Sequence, residues 1–353
     1  MPLVDMVLTL QNVIDGPPEE LRSLFAASCS GDEVTVNTWE STWREYCRLN
    51  SLATNKFEHT VMEVAGSQAN KPVILALSGP SLRKNFMYLK ECEVPDIAGN
   101  MIKYQGRGNI PIVSCLHNFN FFEDNDVMGP DDFYVTLDSG EICIREIYEG
   151  GSHDPKWYWD RTKDRTLVAY TGTSPELINR WQGKILWFTT PPQSVPLAKF
   201  YHDYIDYART PCYNVGGTVA GAALYHARAI LGAGVTIVIG ADFCFGYDHK
   251  FHAWDSNYDK KFSGVIPWVD IFGNRVWTWG SYLGFKKWFD FIACGGQGGN
   301  QQLIINCTEG GIFGSYAQGN IKQVMQWELR TALHVFSIAG RLAPSLLTGN
   351  ILF

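Results

Sequence analysis

Residues 214–243 read NVGGTVAGAALYHARAILGAGVTIVIGADF, and the fold turns on how that stretch divides. Asn214, Gly216, Gly217 and Thr218 form a small, hydrogen-bonding entry. The segment 218–231 then has the composition of a helix, kept slim by Ala220, Gly221, Ala222 and Ala223, so that it can lie against a sheet or a ligand. A Gly-Ala-Gly break follows, and then VTIVIGAD at 235–242, an apolar β-branched run that closes on Asp242. Helix followed by buried strand is the second half of a βαβ unit.

Upstream, short runs of the same kind recur: 73–77, IPIVSCL at 110–116, DFYVTLD at 132–138, RTLVAYT at 165–171 and KILWFTT at 184–190. Runs this apolar suit strands buried on both faces, as in a parallel sheet covered by helices. The expected fold is α/β, a Rossmann-like, doubly wound, mostly parallel sheet with helical N-terminal and C-terminal extensions. Residues 1–70 form the N-terminal extension, 71–320 the nucleotide-binding domain and 321–353 a C-terminal helical segment. In the first of these, Trp39, Trp43, Tyr46 and Leu49 fall at helical spacing and predict core or lid packing. The Gly- and aromatic-rich segment 243–319 is expected to close over the sheet edge. An amphipathic helix at 320–340 ends the pattern.

The chain has 353 residues, 46% of them hydrophobic, enough for a large core. Its net charge is −7, and no basic block exceeds pairs such as Lys260–Lys261 and Lys286–Lys287. That balance argues against generic nucleic-acid binding. Nine cysteines without a C-x-x-C pair argue against a disulfide framework or zinc ribbon. The N-terminus lacks a basic signal-peptide region, and the longest apolar stretch, 219–241, is interrupted by His226 and Arg228. No membrane span and a cytoplasmic location are the expectations.

In doubly wound sheets ligands bind beyond the carboxyl ends of the strands. Asp138 closes one such strand. At another, SGPSL (78–82) offers Gly79 for close backbone approach, Pro80 to preset the turn and Ser81 as N-cap of a helix whose amides would favour an anion. The stretch matches neither G-x-x-x-x-G-K-[ST] nor G-x-G-x-x-G, and a plain βα turn uses the same residues. GADFCFGYDHKFHAWD (240–255) supplies Asp242 at a strand end, with His249 and His252 as candidate general bases. Asp248 and Asp255 would join them in a metal reading, but H-x-x-H on a loop lacks the helical geometry of H-E-x-x-H. NCTEGGIFGSY (306–316) adds Thr308, Glu309 and Gly310 at a further strand-to-loop transition. G-x-S-x-G is absent, and Cys212 and Cys244 have no local activating partner.

Taken in order, GPSL, VGGTVA, IVIGADF, the following HA, DIFGNRVWT and NCTEGG resemble the MptE-like family. That family includes flagellin-modifying motility accessory factors, glycosyltransferases thought to use CMP-activated nonulosonic acids, and archaeal 6-hydroxymethylpterin diphosphokinases. The middle of the pattern is also similar to bacterial sialyltransferases. The resemblance covers about residues 70–320; the segment 100–131, with SCLHNFNFFEDNDV, matches poorly. It implies that Gly79, Pro80 and Ser81, with Gly216, Gly217 and Thr218, line a nucleotide. It further implies that Asp242 lies at the site floor, that His252 is the HA histidine and that Glu309 and Gly310 belong to a late substrate element.

The leading expectation is transfer of a sugar, of nonulosonic or sialic type, from a CMP-type donor to an acceptor hydroxyl on a glycan, protein or small molecule. His252 is the base, with His249 in reserve, and Asp242 positions acceptor or base. No metal is required for a leaving group with one phosphate. The first alternative is a pterin diphosphokinase using ATP and Mg²⁺, with Asp138 and Asp242 as metal ligands. The second is a binding or assembly protein that retains the fold. Self-association into a homo-oligomer completes the partner expectations.

Overall fold

Alternating apolar residues on each central strand feed two separate cores. On β1 (Pro72–Ala76), Val73 and Leu75 pack into one cluster, while Ile74 and Ala76 pack into the other. All five residues of this strand are buried, which is what a strand sandwiched between two helical layers requires. The computed structural model describes residues 37–95, 99–191, 195–213, 215, 217–253, 264–293, 303–315 and 324–342.

The remaining described strands, in chain order, are β2 (Cys92–Pro95), β3 (Met101–Tyr104), β4 (Ile112–Cys115), β5 (Phe133–Thr136), β6 (Thr166–Tyr170), β7 (Lys184–Phe188), β8 (Val235–Ile239), β9 (Ile266–Val269), β10 (Arg275–Thr278), β11 (Leu303–Asn306) and β12 (Met325–Gln326). Eight of them form one sheet in the order β12-β11-β8-β1-β4-β5-β6-β7, and every neighbouring pair in it is parallel. The pairs β2–β3 and β9–β10 are separate antiparallel hairpins. The six apolar runs read from the sequence are β1 and β4 to β8, and the fold is Rossmann-like α/β.

From β1 the chain steps outward through β4, β5, β6 and β7. It returns through a helical segment on the opposite face, Val219–Tyr225 continued by a π turn at His226–Ile230, to place β8 on the other side of β1. The path therefore reverses between β1 and β8, and the crevice beyond their carboxyl ends is the topological switch point. Ala222, Ala223 and Ala227 are fully buried against the sheet. Gly221 is required where this helix begins, because a Cβ there would stand 1.8 Å from the Val215 carbonyl oxygen.

The helix at 37–53 closes the far side. Asn50 Nδ2 donates to the carbonyls of Thr171 and Thr173 at 3.1 and 2.8 Å, covering the carboxyl end of β6. Thr171 in turn donates to Thr189 at 3.2 Å. The strand ends at 171–173 and 189 are thereby used for packing. Of the four residues expected to pack, Trp43 lies against both cores, Trp39 is exposed, and Tyr46 and Leu49 are half-buried.

The segment 243–319 departs from its expectation as an extension over the sheet edge. β11 is an internal strand of the sheet, in register with β8 through Leu303↔Val235 to Asn306↔Val238. A helix at Gly280–Ala293 lies within the second core through Leu283, Trp288, Phe289 and Ile292. The final amphipathic helix is present as Leu329–Leu342, with Leu329, Leu333 and Phe336 in the first core. Among the described residues no helix is long and apolar enough to cross a membrane.

Candidate functional site

A cavity of about 280 Å³ opens at the switch point. Leu77, Ser78 and Gly79 from the end of β1, Cys115 and His117 from β4, Asp138 from β5, and Gly240, Ala241 and Phe243 from β8 form its base. Thr218, Val219 and Ala220 bring the start of the return helix to its wall. Thr218 caps that helix, its Oγ1 accepting from the Ala220 amide at 3.3 Å. Phe251, Tyr282 and Phe285 complete an aromatic side with Phe243; the Phe251 and Tyr282 ring centroids are 4.4 Å apart.

His252 reaches the cavity because its loop is tied down. The Ala253 amide donates to the Ser78 carbonyl at 2.9 Å, and Phe251 packs on Trp279 and Tyr282. The His252 ring lies 4.2 Å from that of His117. His117 Nδ1 is in turn 2.6 Å from Glu146 Oε1, which also lines the cavity. Burial raises the Glu146 carboxyl to about 8, against the opposing attraction of His252. Asp138 is exposed at the cavity edge, and the protein packed around it, reinforced by Glu146, pushes its carboxyl upward. Two imidazoles and two carboxyls thus share one wall, the kind of clustering of titratable groups found at functional sites.

The other expected site residues serve a different structure. Ser81 is in αR geometry without a capping bond to its own helix. Its Oγ donates to Asp242 Oδ2 at 2.6 Å, and its amide donates to both Asp242 oxygens at 3.3 Å. The Gly79 amide donates to the Gly240 carbonyl at 2.8 Å, and that of Leu82 to the Gly79 carbonyl at 3.1 Å. The turn therefore spends on the protein itself the amides that an anion cradle would need, which corrects that expectation. Gly79 lines the cavity; Pro80 and Ser81 do not. A Cβ on Gly79 would stand 2.1 Å from Asp242 Oδ2, so only glycine allows this approach.

Asp242 is buried, its carboxyl raised to about 6 by loss of water and held back by the Ser81 hydrogen bonds. It is not a lining residue of the cavity, and it acts as the clasp between β8 and the β1 turn. Gly310 packs over the same pair, 3.7 Å from Ser81 Cβ and 3.8 Å from Asp242 Oδ1 measured from an ideal Cβ. Thr308 Oγ1 accepts from the Ala241 amide at 3.1 Å. Glu309 Oε1 accepts from the Leu329 amide at 2.9 Å and from Asn85 Nδ2 at 3.2 Å, so it caps the final helix. Thr308, Glu309 and Gly310 brace the clasp from below and do not line the cavity.

His249 is exposed, in a left-handed turn at φ 60°, and does not line the cavity. Asp248 Oδ1 accepts from the Lys250 amide in the same turn. Gly217 has φ 77° immediately before the Thr218 cap. Asn214, Gly216 and Asp255 lie outside the described residues. Burial raises the Cys244 thiol well above its ordinary value, and the exposed Cys212 is also shifted upward, the opposite of an activated nucleophile. Among the described residues no group of three His, Cys, Asp or Glu stands in metal-holding geometry.

His117 and Glu146 were not among the candidates from the sequence. His117 directly follows the β4 run, the position Ser78 holds after β1, so the strand-end rule alone would have found it. Glu146 follows a four-residue helix, Ile142–Arg145, and carries no motif.

Comparison with known proteins places the chain. A family model described as "6-hydroxymethylpterin diphosphokinase MptE-like" matches residues 47–248, more than half of the sequence. The chain belongs to the MptE-like family. The MptE-like match includes the Ser81–Asp242 clasp and the cavity strands β1, β4, β5 and β8, and ends four residues before His252. A solved structure of the MAf glycosyltransferase from Magnetospirillum magneticum AMB-1 superposes with a TM-score of 0.54 at 15% identity. The alignment covers 84% of this MptE-like chain and 41% of that protein, so the chain spans less than half its length. At that identity the likeness is one of fold. No curated protein matches in sequence.

Proposed function

We propose that this chain is a glycosyltransferase-like enzyme that moves a sugar from a CMP-type donor to an acceptor hydroxyl. The observation that carries the reading is His252 on the wall of a cavity at the β1–β8 switch point, beside His117 and Glu146 and facing into the same space as four aromatic side chains. The aromatic side suits a stacked base and the apolar face of a sugar. The start of the 219–230 helical segment gives the positive end of a helix to the leaving phosphate.

In this reading His252 takes the acceptor hydroxyl proton as the oxygen attacks the anomeric carbon. The bond from that carbon to the donor phosphate breaks, and the phosphate leaves with the electron pair. Among the described lining residues there is no Lys or Arg, while Asp138 and Glu146 are acidic. Such a wall suits a leaving group with one phosphate better than a triphosphate. A nonulosonic or sialic-type sugar is the finer proposal for the donor, and the resemblance of the motif order supports it.

The family description favours a second reading, a pterin diphosphokinase dependent on ATP and Mg²⁺. Its expected metal pair does not fit: Asp138 lines the cavity, whereas Asp242 is committed to Ser81 outside it. The deciding experiment is a thermal-shift screen of CMP, CDP, UDP, GDP and ATP, each with and without Mg²⁺. A CMP shift without metal is expected. An ATP shift that needs Mg²⁺ overturns the transfer reading in favour of the kinase, and no shift with any nucleotide favours a binding or assembly role.

A further inference from the structure

His252 stands in a group of titratable residues that four separate chain segments bring together. Cys115 and His117 come from the end of β4, Asp138 from the end of β5, Cys143 and Glu146 from the helix Ile142–Arg145 and its C-terminal edge, and His252 from the loop after β8. Burial raises the Cys115 and Cys143 thiols, so both stay neutral. The charge of the group is therefore decided by Asp138, Glu146, His117 and His252. Two distances connect the last three: 2.6 Å from Glu146 Oε1 to His117 Nδ1, and 4.2 Å between the two imidazole centroids.

We infer that Glu146 and His117 form a proton-holding pair that sets the ionisation of His252 and keeps it the neutral base of the cavity. The inference rests on the transfer reading for its role in turnover, but the coupling itself is a property of the unliganded chain. At 2.6 Å the contact holds its proton on the His117 imidazole, and this ion pair offsets the burial that raises the Glu146 carboxyl. A cation on His117 at this separation opposes a second cation on His252, because like charges side by side disfavour double protonation. The carboxylate of Glu146 acts in the opposite sense and favours His252 protonation. Neither residue need touch the substrate: Glu146 and His117 are positioning residues, and His252 remains the catalytic one.

The two partners thus predict shifts of opposite sign. Histidine ring resonances of the full chain, followed by NMR as pH is varied, give the His252 titration midpoint. His117→Gln removes the opposing cation and should raise that midpoint by about one pH unit, the order expected for unit charges at this spacing in a partly solvated site. Glu146→Gln removes the attracting carboxylate and should lower it. Where transfer is measurable, Glu146→Gln should also reduce kcat while CMP affinity is unchanged. Midpoints that stay fixed, or that move in the same direction in both variants, overturn the inference, since mere disturbance of packing carries no such sign.

The unsubstituted chain gives an independent test if either variant fails to fold. His117 and His252 should then titrate in two separated, mutually dependent steps. Independent single-proton curves for both would refute the coupling. A failed nucleotide screen would sink the transfer reading and leave these titrations to stand, whereas CMP-dependent transfer with uncoupled histidines would sink this inference alone.

Discussion

The cavity wall and the clasp beneath it share the carboxyl ends of β1 and β8 but use their polar residues in opposite ways. In the clasp, the Ser81 hydroxyl and amide are spent on Asp242, Thr308 Oγ1 on Ala241, and Glu309 Oε1 on Leu329 and Asn85. On the wall, Asp138, Glu146, His117 and His252 border open space and sit close enough to exchange charge. The recognisable motifs GPSL, GADF and TEGG belong mostly to the clasp, while two of the four wall residues come from segments without a motif. A short pattern of small and acidic residues is thus a demand of close backbone packing before it is a demand of chemistry.

Substitutions should separate the two regions. The largest effect belongs to the wall: His252→Ala should reduce transfer by about 10²–10⁴-fold, the usual worth of a positioned base, with CMP binding and Tm unchanged. Turnover retained in that variant removes His252 as the base. In the clasp, Gly79→Ala forces a methyl to within 2.1 Å of Asp242 Oδ2 and 2.6 Å of the Gly240 carbonyl oxygen. Denaturant unfolding should register a loss of roughly 3 kcal/mol, at the upper end for overpacking.

Asp242 gives the clasp a pH signature. Burial lifts its folded-state pKa from 3.8 to about 6, so the folded chain keeps a proton that the unfolded chain has already lost. Its contribution to stability therefore falls as pH rises through the window from about 4 to about 6, and is level above it. Asp242→Asn should flatten that slope in unfolding curves taken across the window; an unchanged slope would assign it to other groups. The smallest effect is expected for Glu309→Ala, which removes a cap from the final helix. A loss of about 1 kcal/mol with CMP binding intact would confirm a bracing role, whereas loss of binding would return Glu309 to the substrate site.

Much of the architecture was readable because burial on both faces leaves a direct imprint on a strand. Runs such as VILAL and VTIVI have no polar face to offer, so they must lie inside a covered parallel sheet. β11 was harder: LIIN is brief, and the glycine- and aromatic-rich residues before it mask its place beside β8. The site was readable in part. Asp138 and His252 fall on the cavity wall because each follows a strand, and Thr218 because it opens a helix, at ends that the fold gathers at one edge. Ser81, Asp242 and Glu309 carried the same local signal, but nothing in a linear pattern says whether a carboxylate meets solvent or a hydroxyl 161 residues away.

The sequence by itself determined the covered parallel sheet, the strand ends where ligands gather and the slim helix that returns the chain to β8. These follow from local composition and period, which act over a few residues. Only the tertiary structure decided which polar groups are spent on the protein and which border the cavity, and only it set His117 and Glu146 beside His252. Those outcomes depend on distances between segments more than a hundred residues apart, where desolvation and hydrogen bonding act through space and leave no mark on neighbouring letters.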